Sequence, residues 1–120
     1  MISQKDKKKA EEMVGQAEQL LERADTEPNQ ESQLAEQARN LLNEAIAFDP
    51  SNSDAWSNRG AAKTKLGDHE DASSDCDEAI RLNPRNASAW STRGSAKFYL
   101  GDYQGAITDC DELYYIKSHQ

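Results

Sequence analysis

Residues 55–68 read AWSNRGAAKTKLGD, and residues 89–102 read AWSTRGSAKFYLGD. Trp56 and Trp90 thus stand 34 residues apart, and so do Cys76 and Cys110. Aligned without a gap, Ser53–Pro84 and Ala87–Ser118 agree at 15 of 32 positions, which rules out a coincidence of two tryptophans. A fixed period of this length marks a stacked array, in which each unit buries its apolar face on its neighbours.

Within each unit the pattern is that of two helices. The spacing of Trp56, Gly60, Lys63 and Leu66 predicts a helix over about 54–66. The LGD that follows stops it: Gly67 suits the left-handed backbone that closes a helix, and Asp68 is expected to cap the next one. A second helix over about 69–82 places Ala72, Cys76, Ala79 and Ile80 on one stripe. Asn83–Pro84 ends it, because a residue before proline is pushed out of helical geometry. Upstream, NEAIAFDPSN (43–52) matches DEAIRLNPRN (77–86), so 32–48 reads as the second helix of a preceding unit. Strict periodicity fails before that point. Ala10, Met13, Val14, Ala17, Leu20, Leu21 and Ala24 form their own apolar stripe, set off by the break TEPNQES at 26–32.

These residues resemble the tetratricopeptide repeat, whose pattern runs Trp, two residues, Leu-Gly, two residues, Tyr, later Ala, three residues, Phe, then Pro. Trp56, Gly60, Ala72 and Pro84 match it, as do Trp90, Gly94 and Ala106. The resemblance implies an all-α, right-handed superhelical stack of about three antiparallel helix pairs. It forms one domain over residues 1–120, with a divergent first repeat at 4–50 carrying a loop insertion at 26–32, a second at 53–86 and a third at 87–118. Trp56 and Trp90 are then packing residues, with Gly60, Gly94, Ala72 and Ala106 letting neighbouring helices approach.

Three departures recur in both full units. Arg59 and Arg93 stand where the family has Leu, Lys63 and Lys97 where it has Tyr, and Cys76 and Cys110 where it has Phe. An unpaired buried charge is costly, and Asp75 and Asp109 lie 16 residues after each arginine on the helix that folds back. Structural ion pairs Arg59–Asp75 and Arg93–Asp109 are therefore expected. Lys63 and Lys97 are expected to lay their stems on the core and keep their ammonium groups in water. The two cysteines, at equivalent places in successive units, are too far apart for a disulfide and are expected as reduced core thiols.

The resemblance also implies a function: a protein–protein interaction module, scaffold or adaptor, whose first helices line a concave groove for a peptide or partner helix. That groove would present Asp54, Ser57, Asn58, Ala61, Thr64 and Lys65, then Ser88, Ser91, Thr92, Ser95, Phe98 and Tyr99. Phe98 and Tyr99 are the only sizeable aromatic anchor there, the alternative being that one of them packs on a neighbouring helix. One group in the family clamps acidic chaperone tails with two Lys, one Arg and two Asn. Here only Asn58 falls on a clamp position; Ser88 and Thr92 stand at the Lys and Arg places, and the first helix offers Val14 or Glu18. The competing reading is structural: weak self-association through a patch of Ile107, Tyr114 and Tyr115, or a piece of a longer array.

Composition narrows the field further. Fourteen basic against 22 acidic residues give a net charge of −8, which opposes binding to nucleic-acid phosphates. No apolar run suits a membrane span, and the lysine-rich start lacks a signal peptide's apolar stretch; a cytoplasmic, reducing setting is expected. His69 and His119 have no metal-ligand spacing, no serine sits in a nucleophile elbow, and DCDE at 75–78 and 109–112 fits no EF-hand loop. Neither cofactor, metal nor enzymatic activity is expected.

Overall fold

A computed structural model describes all 120 residues. Six α-helices and no strand follow in order: α1 (Gln4–Thr26), α2 (Glu31–Phe48), α3 (Ser53–Lys65), α4 (His69–Leu82), α5 (Ala87–Tyr99) and α6 (Tyr103–Ser118). A single 3-10 turn, Pro28–Gln30, joins α1 to α2. Proline at its first position suits the fixed backbone angle of a helical start.

Local chemistry sets these boundaries. Asn52 and Asn86 cap α3 and α5, their side chains accepting from the amides of Ala55 and Ala89. Gly67 and Gly101 carry φ of 82° and 86°, a conformation in which a Cβ would be strained, and each lets the chain turn sharply after its helix. Asp102 caps α6 through the Gly105 amide at 2.9 Å. Asp68, expected to do the same for α4, makes no capping bond with its side chain.

Three hairpins, α1/α2, α3/α4 and α5/α6, stack in sequence through α2/α3 and α4/α5 contacts. The first helices also touch one another, α1 on α3 and α3 on α5, whereas α2, α4 and α6 never meet. That asymmetry curves the stack. The layer α1–α3–α5 is compressed into the concave side, and the second helices splay along the convex side.

Small side chains make the tight layer possible. Ala10, Ala17, Ala38, Ala45, Ala55 and Ala62 lie in one buried cluster with Met13, Val14, Leu21 and Leu42. Within the second hairpin Gly60 lets α3 close onto α4: a Cβ there would come within 2.9 Å of Cys76 Sγ and 3.1 Å of the Ala72 carbonyl. The tryptophans are half-buried at the hairpin edges. Trp56 Nε1 donates to the Pro50 carbonyl at 2.8 Å and Trp90 Nε1 to that of Pro84 at 2.9 Å, tying each first helix to the loop before it. Arg59 and Arg93 lie over the two indole rings at 4.9 and 4.8 Å.

Candidate functional site

The arginines are the struts from which the concave surface hangs. Arg59 donates from Nε and Nη2 to the two oxygens of Asp75, each at 2.9 Å, and Arg93 does the same to Asp109 at 3.0 and 2.8 Å. Such bidentate bonds fix geometry as well as charge. A third arm reaches backward: Arg59 Nη1 donates to Asn43 at 3.0 Å, and Arg93 Nη1 to Asp77 at 2.8 Å. Each guanidinium thus bolts its own second helix to the second helix of the preceding unit. Asn43 and Asp77 lie one period apart, so a repeat-wise search 16 residues upstream of each arginine would have found them.

The lysines behave otherwise than expected. Lys63 Nζ lies 3.1 Å from Asp75 and Lys97 Nζ 3.2 Å from Asp109, so each carboxylate receives two cations. Their ammonium groups are drawn inward because Asp109 is fully buried and Asp75 nearly so; one guanidinium alone leaves carboxylate lone pairs unsatisfied. The bond to Asp109, and then that to Asp77, holds the Arg93 guanidinium above its ordinary range against the opposing effect of burial.

On the concave side, α1, α3 and α5 enclose an open trough of about 570 Å³. Its floor is Asn58, Ala61, Thr64, Ser91, Thr92 and Ser95; its far wall is Glu18, Leu21, Glu22 and Asp25 of α1. Lys65 lies at the rim with its ammonium bonded to Asp25, and Asn58 Nδ2 donates to Glu18 at 3.4 Å. The α1 wall was invisible to periodicity, because the first helix lies outside the 34-residue register.

Five expected groove residues lie outside the trough: Ser57, Asp54 and Ser88 line neither hollow, and Phe98 and Tyr99 belong to a second one. Ser57 is 1 % exposed, its hydroxyl receiving the Asn86 amide at 3.3 Å. That amide also reaches Ser53 at 2.8 Å and Asp54 at 3.4 Å, so Asn86 is a buried latch between the second and third hairpins, with Ser57 as one of its catches. Phe98 and Tyr99 point away from the trough. They line an adjoining hollow of about 640 Å³ with Tyr103, Ala106, Ile107 and Cys110, which meets the trough only at Ser91 and Ser95. Phe98 sits edge-on to Tyr103 at 5.4 Å, and Tyr99 stacks on His69 at 4.6 Å. Ser88 and Asp54 are exposed outside both hollows.

The C-terminal helix is bare on this side. Ile107, Tyr114 and Tyr115 are exposed, Tyr115 stacking on His119 at 4.1 Å. Cys110, expected in the core, is exposed, whereas Cys76 is fully buried; both are free thiols. The same position differs because α4 is packed between α3 and α5, whereas α6 packs on α5 alone. Burial first, then the Asp75 charge, pushes the Cys76 thiol up to about 12.

No three His, Cys, Asp or Glu side chains are grouped to hold a metal ion, and no helix is long and apolar enough to cross a membrane.

Known proteins resemble this chain in the same terms. Residues 53–86 match the tetratricopeptide repeat family. The human small glutamine-rich tetratricopeptide repeat-containing protein beta is 38 % identical over 66 residues, covering 55 % of this chain. The chain spans about a fifth of that protein's length, the matched share being 21 %. Among solved structures, the second TPR of Spaghetti (RPAP3), bound to HSP90 peptide SRMEEVD, superposes with a TM-score of 0.81 at 25 % identity, over 94 % of this chain and 96 % of that one. The Sgt2 TPR domain from Aspergillus fumigatus gives 0.70 at 27 % identity, over 86 % and 67 %. Six helices in three stacked hairpins, the 34-residue period and these likenesses agree: the chain is a tetratricopeptide-repeat protein.

Proposed function

We propose that the chain is a protein-interaction module, a scaffold or adaptor rather than an enzyme, working in the cytoplasm. Its trough receives an extended segment of a partner protein. The observation that carries this reading is the concavity itself: three helices present a continuous floor of small hydroxyl, amide and methyl groups beside a fixed wall. Such a floor leaves room for a peptide backbone and offers it hydrogen bonds. The peptide-bound TPR of Spaghetti lends support, having the same fold over nearly its whole length. The immobilised chain is compared with an Ala61→Trp variant as bait, and retained proteins are identified by mass spectrometry. Ala61 lies on the trough floor, so true partners are lost on the variant; equal retention on both baits sinks the reading.

Chaperone-tail binding is the narrower form of this reading. The peptide in the Spaghetti complex favours it, while the lining here opposes it, because Glu18 and Glu22 face where acidic side chains would lie. Titration with SRMEEVD decides: no saturable binding is expected.

The second reading is self-association through the bare face of α6. Phe98, Tyr103 and Ile107, each more than half exposed around one hollow, favour it. Light scattering across a concentration series tests it. A dimer abolished by Ile107→Lys supports it; a strict monomer at high concentration ends it.

A further inference from the structure

We infer that the trough selects a basic segment of its partner, an extended stretch carrying Lys or Arg at alternate positions. This rests on the trough being the binding site. Every cation on α3 and α5 is already engaged: Arg59 and Lys63 by Asp75, Lys65 by Asp25, and Arg93 and Lys97 by Asp109. The first, second, fourth and fifth of these point into the hairpins, away from the trough, whose lining includes none of them. Lys65, the only cation of the lining, is held at the rim by the wall's own Asp25.

The wall's remaining carboxylates have no such partner. Glu18 accepts only the neutral Asn58 amide, and Glu22 makes no ion pair. The floor between them and α5 is uncharged, and the one lining cation, Lys65, is taken up by Asp25, so the concavity keeps an excess of negative charge. A concave wall of one sign concentrates its field on whatever enters. Helical rise places Glu18 and Glu22, one turn apart, at ~6 Å along the wall. Side chains on one face of an extended peptide repeat every ~6.6 Å. Two cations spaced by one residue therefore meet both carboxylates, while an acidic segment meets repulsion at each.

The test uses two fluorescein-labelled probes, one of alternating serine and lysine and one of alternating serine and glutamate, followed by anisotropy at low salt. Wild type should bind the lysine probe at least about tenfold tighter than the glutamate probe. Glu18→Gln with Glu22→Gln should remove most of that difference. The control Glu36→Gln with Glu44→Gln, exposed on α2, should change it by less than about twofold, since remote charges are screened. Ala61→Trp and Ser91→Trp, each filling the trough, should weaken the lysine probe, with circular dichroism verifying that every variant is folded. Equal losses in the two charge variants mean diffuse attraction to an acidic protein and overturn the inference. A glutamate probe that binds as tightly, yet is expelled by the fillers, overturns the charge preference and leaves the trough as a site. Lysine-probe binding that ignores both fillers overturns the trough reading as well.

Discussion

Cys76 and Cys110 hold the same place in successive hairpins, share the neighbours Asp, Asp and Glu, and live in different worlds. One is sealed beneath α5; the other faces the solvent. Ala72 and Ala106 repeat the contrast more faintly, as do Gly60 and Gly94 in the space around them, whereas Asp109 is as deeply buried as Asp75. Between copies the sequence is held constant while the environment changes, so each pair is a natural experiment on what a neighbouring unit contributes. Identity within the hairpin determines the strut, buried in both copies; the next hairpin determines how deep the thiol lies.

The strut is shared, and its loss should be the largest effect. Asp109→Ala leaves Arg93 and Lys97 without their common carboxylate and should cost about 3–5 kcal/mol by chemical denaturation, as should Asp75→Ala. A cost below ~1 kcal/mol at either site would mean the cations stay solvated when released.

The thiols test burial directly. Cys76 is held near 12, so at pH 8 only about one molecule in ten thousand is thiolate there. A thiol reagent should therefore label one cysteine per chain rapidly, Cys110, and the second only as the protein unfolds. Two fast thiols would erase the contrast. Linkage gives the pH counterpart. An unfolded Cys ionises from about 9 while the folded one resists until about 12. Stability present below pH 9 is thus lost as pH rises through that window, by about 1.4 kcal/mol per unit. Cys76→Ala should remove that slope.

Smaller still is the glycine pair. At Gly60 an added Cβ meets Cys76 Sγ at 2.9 Å and the Ala72 carbonyl at 3.1 Å; at Gly94 the nearest atom is Asp109 Cβ at 3.3 Å and the carbonyl recedes to 3.6 Å. Gly60→Ala should lose about 1–3 kcal/mol to overpacking, less the ~1 kcal/mol that alanine gains in a helix. Gly94→Ala should fall near neutral. Equal melting temperatures for the two variants would deny that α5 tightens the middle hairpin.

Least of all, Asn43→Asp would give Arg59 the charged third partner that Arg93 has in Asp77. Both positions are exposed, so a gain of ~0.2–1 kcal/mol that fades with salt is expected.

These contrasts also show where sequence reasoning reaches its limit. Helix pairs and their ends were legible because LGD turns and the prolines act locally: α4 was read at its observed bounds, and α3 within a residue of them. Arg–Asp pairing was legible because a hairpin of fixed length brings residues 16 apart together. The lysines' choice of the same carboxylate was not, since it depends on how dry that carboxylate is. Ser57 was misplaced because its burial is decided by Asn86, 29 residues on. Of the charged wall only Glu18 was named, as an alternative to Val14, because α1 obeys no repeat and its spacing does not say which face turns toward α3.

The Asn86 latch has one more implication, for temperature. Its bonds to Ser53, Asp54 and Ser57 set the angle between neighbouring hairpins by directed polar contacts. Apolar attraction weakens on cooling, but such contacts do not draw on it. The arc of the inner surface should therefore keep its radius in the cold, when the alanine-lined joints around it are at their loosest.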